Sequence, residues 1–277
     1  MSHHPFPMKT FASLALLVQL AGCAVAPGLP DNSVRARLES DVAYVSLGHG
    51  NPAVVLQAGF GDGKKVWAAV AEDLAKDHTV FAYDRPGHGG NPLSETPRDP
   101  CTIAAELRTR LAAAGLQPPY VLVGHSLGGL YQYVYARLYP SEVAGLVLLD
   151  PTHPRHWETM QREAPASAKL IKVMSTLAFG ETDRREFDAQ ANCLDRLDTS
   201  RPLGVPTRLL VSGRFKPVEK GDFEAMVKRL RQDWLRLTQA PRIETIHDSG
   251  HYLQKDGPED VAAAVRALAA GRPGSQR

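Results

Sequence analysis

From residue 33 onward, apolar runs of strand length alternate with stretches whose apolar residues recur at helical spacing. That alternation predicts a mostly parallel sheet with helices on both faces, an α/β fold. The opening departs from it, because residues 34–38 and 42–47, separated by Glu39-Ser40-Asp41, alternate like the two strands of a hairpin. Residues 53–57 predict a buried strand, 66–75 a helix, and 79–83 a second strand ending at Asp84. Asp99-Pro100 supplies an N-cap and a first helical position, followed by Ile103, Leu107 and Leu111 on one face.

Tyr120-Val121-Leu122-Val123 is nearly all apolar, as a strand buried on both faces must be. The next residues change period: Leu127, Leu130, Tyr131, Val134, Tyr135 and Leu138 form a helical stripe. A strand follows at 143–149 and ends at Asp150-Pro151. Residues 152–200 are more polar and helical in pattern, without a clear strand, which predicts a helical cap inserted into the sheet sequence. Strand character returns at 207–211 and 242–246, with helices at 223–237 and 258–270, the last ended by Gly271. No internal repeat or low-complexity linker divides the chain, so residues 33–277 are expected to form one domain with the cap at about 152–200.

Ahead of that domain, Lys9-Thr10 precedes an apolar run over residues 11–20 that ends in small residues. The run is too short to span a bilayer, which takes about 20 apolar residues, and it fits a cleaved export signal over residues 1–22. Leu20-Ala21-Gly22-Cys23 is similar to the lipobox of bacterial lipoproteins, and that resemblance implies lipid attached at Cys23. Residues 23–32 are then a tether, and the domain is expected at the bacterial cell envelope; Ala24 after the cysteine resembles lipoproteins sent to the outer membrane, a resemblance that implies a place there facing the periplasm. The other reading of Cys23 is a cysteine that happens to lie near a cleavage site. After export, Cys101 and Cys193 are an even pair in an oxidising compartment, either bridged or two buried free thiols.

Charge narrows the partners. The 32 Lys+Arg nearly balance 30 Asp+Glu, so the excess that would recruit nucleic acid is missing. Three cysteines cannot form a disulfide scaffold, and none has Cys-x-x-Cys spacing. His153 and His156 form a His-x-x-His pair without a third ligand nearby, and are expected to be solvated cap residues rather than a metal site. Arg184-Arg185 and residues 228–231 are expected on exposed helix faces.

The candidate chemistry centres on Gly124-His125-Ser126-Leu127-Gly128, between the predicted strand and helix. A serine in Gly-x-Ser-x-Gly sits on a sharp turn that needs small neighbours, and the following helix directs free amides at negative charge formed there. Four segments in order carry a resemblance to the α/β-hydrolase family over roughly residues 33–271: Leu56-Gln57-Ala58-Gly59-Phe60-Gly61, Asp84-Arg85-Pro86-Gly87-His88-Gly89, the Ser126 elbow, and Ser249-Gly250-His251.

The resemblance implies Ser126 as nucleophile, His251 as its base, and the backbone amides of Phe60 and Leu127 as the oxyanion hole. His247 falls just past the last strand and is expected to face sideways. The acid departs from the commonest pattern, since Lys216 stands near the place where Asp is usual. Asp150 is the preferred acid, at a strand end converging on the site, with Glu219, Asp222, Glu224 and Asp248 as alternatives. Trp67, Tyr131, Trp157 and Phe215 could line an acyl pocket or pack in the core.

These readings imply a serine hydrolase acting on a small-molecule carboxylic ester or related acyl substrate, without metal or organic cofactor. Acyltransferase, thioesterase, lactonase and amidase chemistry use the same groups. Dehalogenases and epoxide hydrolases resemble the chain with Asp at the elbow, where this chain has Ser126. A non-catalytic binding lipoprotein would need neither Ser126 nor His251.

Overall fold

A computed structural model describes residues 33–271. Seven strands form one sheet in the order β1-β3-β2-β4-β5-β6-β7, comprising β1 (Tyr44–Leu47), β2 (Val54–Gln57), β3 (Val80–Tyr83), β4 (Tyr120–His125), β5 (Val143–Leu149), β6 (Thr207–Ser212) and β7 (Ile243–Ile246). Every neighbouring pair is parallel except β1 with β3.

The continuous apolar strands are explained by two separate cores, one on each face. Side chains alternate across a strand. Leu122 therefore packs with α3 (Pro100–Ala113), α4 (Leu127–Leu138) and α8 (Asp222–Thr238), through Ile103, Leu107, Leu130 and Trp234. Val121 and Val123 point the other way, to α2 (Ala68–Leu74) and the last helix (Pro258–Ala270), through Val70, Leu74, Val261 and Val265. Asp99 caps α3 as its sequence predicts, accepting from the amides of Cys101 and Thr102 at 3.0 and 3.1 Å.

The predicted opening hairpin is corrected. Residues Val34–Glu39 form helix α1, capped by Ser33 Oγ, which accepts from Ala36 N at 3.2 Å. In Val34-Arg35-Ala36-Arg37-Leu38 the apolar residues satisfy period 2, yet Val34 and Leu38 also stand one helical turn apart. The helix prevails because it buries Leu38 in the same core as α2, so β1 enters the sheet without a hairpin partner.

Between β5 and β6 the chain makes α5 (His156–Glu163), α6 (Pro165–Ala178) and α7 (Glu181–Ala189), with no strand among them. Cys101 and Cys193 are bridged, tying the first turn of α3 to the segment after α7, with Cα atoms 6.3 Å apart at a sequence separation of 92. Closing a loop of that length restrains the unfolded chain by about 4 to 5 kcal/mol in the chain-entropy account. No helix among the described residues is long and apolar enough to cross a membrane. Cys23 and the expected signal and tether, residues 1–32, lie outside the described residues.

Candidate active site

Strand β4 delivers Ser126 onto the turn into α4 with φ 52° and ψ −120°, a conformation that costs a non-glycine residue about 1–3 kcal/mol. The neighbouring glycines make the turn possible. A Cβ on Gly124 would lie 2.4 Å from the Gly128 carbonyl oxygen, and one on Gly128 would lie 2.3 Å from the Gln57 carbonyl oxygen. The crowding brings the 57–60 backbone against the elbow, where a Cβ on Gly59 would stand 3.1 Å from Ser126 Cβ. Among the described residues, the amides of Phe60 and Leu127 donate to no acceptor, so two free N–H groups flank the serine.

His251 follows β7. Its Nδ1 donates to Asp150 Oδ2 at 2.8 Å, and its side chain remains 42% exposed. With Nδ1 carrying the proton, Nε2 is left as a base. Ser126, Asp150 and His251 line one cavity of about 180 Å³, although no hydrogen bond joins Ser126 Oγ to the imidazole. Such contacts often tighten only when substrate is bound. Of the other carboxylates weighed, Glu219 accepts from the Lys216 amide at 2.8 Å, Glu224 pairs with Lys220 and Lys228, Asp248 pairs with Arg214, and Asp222 is exposed. Only Asp150 reaches His251. His247 is exposed on the loop after β7.

Asp150 is more elaborately held than its sequence suggests. Its Oδ1 accepts from Arg231 Nη2 at 2.6 Å and its Oδ2 from Ser212 Oγ at 3.0 Å. Arg231 also donates to Ser212 Oγ at 2.7 Å. Burial by itself would raise the Asp150 pKa, but the hydrogen bond and charge of His251 together with the charge of Arg231 outweigh it and hold the carboxylate well below its ordinary range. Arg231 is therefore a correction: it is 8% exposed and faces the site, whereas the run 228–231 is expected to be solvated. Helical spacing explains the burial, since Val227, Arg231, Trp234 and Thr238 share one stripe of α8.

His125, inside the elbow motif, is a further group the sequence reading passes over. Its Nε2 donates to the His251 carbonyl at 2.8 Å, and its ring lies 4.7 Å from the His251 ring, centroid to centroid. Burial pushes its pKa down to about 3, so it stays neutral and steadies the histidine loop.

The cap grips the residue 58–60 side of the elbow. Arg85 donates to the carbonyls of Ala58 at 2.7 Å and Gly59 at 2.9 Å, and pairs with the buried Glu186 of α7 at 2.8 Å. Arg98 and His88 also face Glu186, each at 3.3 Å. Phe60 packs on Phe179 of the cap with ring centroids 4.5 Å apart.

The histidine pair of the cap is corrected too. His153 is buried, its Nε2 on Asp233 at 3.0 Å and its Nδ1 accepting from the Arg155 amide at 3.1 Å, and both histidines line the cavity beside Ser126. Arg185 is half-buried, donating to the Ser94 and Thr96 carbonyls. Of the aromatic residues, Trp67 and Tyr131 belong to the cores, Trp157 packs on Phe187, and Phe215 lines the cavity.

A family model described as alpha/beta hydrolase fold matches residues 52–246. The chain belongs to the α/β-hydrolase family. This hydrolase-family chain is 33% identical over 187 residues to the (lyso)-N-acylphosphatidylethanolamine lipase of Mus musculus, a match covering 66% of this chain and 46% of the lipase. The matched segments span about half or less of the curated relatives' lengths. Among solved structures, a thermophilic esterase from Thermogutta terrifontis superposes with TM-score 0.60 at 23% identity, covering 81% of this chain and 91% of the esterase. The epoxide hydrolase CorEH does so with TM-score 0.60 at 18% identity, covering 81% and 93%. Both likenesses concern the fold.

Proposed function

We propose that the protein is a serine hydrolase that cleaves a carboxylic ester or a related acyl compound through an acyl-enzyme. The observation that carries this reading is the 2.8 Å contact of His251 Nδ1 with Asp150 Oδ2 in the cavity that also holds Ser126. Ser126 Oγ attacks the acyl carbon while His251 Nε2 takes its proton, and Asp150 stabilises the imidazolium that forms. The oxyanion is received by the Phe60 and Leu127 amides, which need no reorganisation. Collapse expels the alcohol with the proton from His251; water, deprotonated by the same nitrogen, then releases the acid and restores Ser126.

A serine at the elbow separates this reading from epoxide opening through a carboxylate nucleophile, and the activity for which the lipase relative is named agrees with acyl chemistry. Thioester, lactone, amide and acyl-transfer reactions share the same first half. The same reading includes a lipid tether at Cys23, resting on Leu20-Ala21-Gly22-Cys23. The test of catalysis is hydrolysis of p-nitrophenyl esters by Ser126→Ala and His251→Ala. Each should lose several orders of magnitude in turnover while remaining folded, because the members act as a unit. Comparable turnover in Ser126→Ala rejects the assignment.

A further inference from the structure

We propose that the cavity beside Ser126 selects acyl groups bearing a neutral hydrogen-bonding oxygen a few bonds from the scissile carbonyl, read by the imidazole of His156. The proposal rests on the serine-hydrolase reading and adds the class of substrate. The cavity wall away from Ser126 is largely apolar, with Phe215, Phe223, Val227 and Leu230. Polar side chains interrupt it, among them Arg214, Glu219 and His156. His156, at the start of α5, meets the Phe223 ring edge-on at 6.2 Å, and its ring nitrogens make no hydrogen bond with any described residue. By contrast, both nitrogens of His153 are occupied by Asp233 and the Arg155 amide.

Unpaired polar groups in an apolar wall are costly unless a ligand pairs them. A plain alkyl chain would leave the His156 ring unpaired. An anion suits the site poorly, because Arg231 is already committed to Asp150, Arg214 is paired with Asp248, and His156 is uncharged. Burial, together with the positive charges of His153 and His251, pushes the His156 pKa down to about 4. Its neutral ring offers one donor and one acceptor, the complement of a hydroxyl or carbonyl. The acyl side is favoured because that half stays on Ser126 through both steps, whereas the alcohol departs once His251 protonates it. At about 180 Å³ the cavity suits a short chain.

The test compares p-nitrophenyl 3-hydroxybutanoate with its near-isostere p-nitrophenyl 3-methylbutanoate, using the full-length protein. Wild type should favour the hydroxy ester by about tenfold or more in kcat/KM. His156→Phe should lower that ratio about tenfold, and His156→Gln, which keeps a donor and an acceptor, should retain most of it. A wild-type ratio near one, or a ratio that His156→Phe leaves as it was, overturns the proposal. A parallel pair of acetate esters, of butane-1,3-diol and of 3-methylbutanol, moves the oxygen to the leaving group; selectivity confined to this pair overturns the acyl assignment. Failure of both series together with failure of a fluorophosphonate to label Ser126 overturns the serine-hydrolase reading itself, whereas labelling without selectivity overturns this proposal alone.

Discussion

Arg231 binds Asp150 through Oδ1 at 2.6 Å, leaving Oδ2 for His251 at 2.8 Å, so one carboxylate serves a permanent cation and a titratable one. Its charge and hydrogen bond steady Asp150. Arg231→Met should therefore lower kcat about tenfold to a hundredfold with KM little changed, because the carboxylate that orients His251 loses its anchor. Arg231→Lys should restore much of the loss. Removing one partner of so buried a pair should also cost about 3 kcal/mol of stability, measured by denaturant unfolding. An unchanged kcat in folded Arg231→Met would show that Arg231 only supports the fold.

Glu186 offers a pH test of the cap's attachment. Burial would raise its pKa, but Arg85 and His88 overcome that effect and hold it well below the ordinary carboxylate range. A depressed folded pKa means that the stabilisation is present above the unfolded value, about 4.3, and is lost as pH falls through the folded one. Glu186→Gln should lose about 3–5 kcal/mol at pH 7, and the gap from wild type should narrow below pH about 4. Turnover should fall about tenfold to a hundredfold, because Arg85 also fixes the Ala58 and Gly59 carbonyls. A gap that is constant with pH would contradict the ionised-carboxylate account.

The choice of acid is tested by paired amide substitutions. Asp150→Asn keeps the shape of the side chain but presents the wrong partner to Nδ1, which should lower turnover about 10⁴-fold, while Glu219→Gln should remain near normal. Melting temperatures must accompany the rates, because Asp150 also anchors Arg231 and Ser212. A folded, active Asp150→Asn would remove it from the mechanism.

Much of this site is legible in the chain because each part has a local signature. Ser126 lies between glycines at a strand-to-helix junction, and Asp150 closes an all-apolar strand before Pro151. Groups whose roles depend on distant partners are harder to read. Arg231 sits in a cationic run, and only the contacts of α8 with the ends of β5 and β6 show that it turns inward. His153 and His156 look alike in sequence and line the same cavity, yet Asp233, 80 residues from His153, pairs with that ring and not with His156. The helix at residues 34–39 was hidden because its five-residue apolar pattern fits both periods.

The proposed lipid tether is tested separately from catalysis. In a bacterial host, wild-type protein should fractionate with membranes and yield an acylated N-terminal peptide beginning at Cys23, while Cys23→Ser should be released and lack acyl groups. Mass spectrometry that finds unmodified Cys23 in membrane-bound protein would exclude the lipid tether.

The central claim is that Ser126 is an activated nucleophile. Reaction of the folded protein with a fluorophosphonate probe, followed by peptide mapping, reads it directly. The account predicts one adduct, on Ser126, that is abolished in Ser126→Ala and greatly slowed in His251→Ala. A folded protein that takes no label, or takes it on another residue, would contradict it.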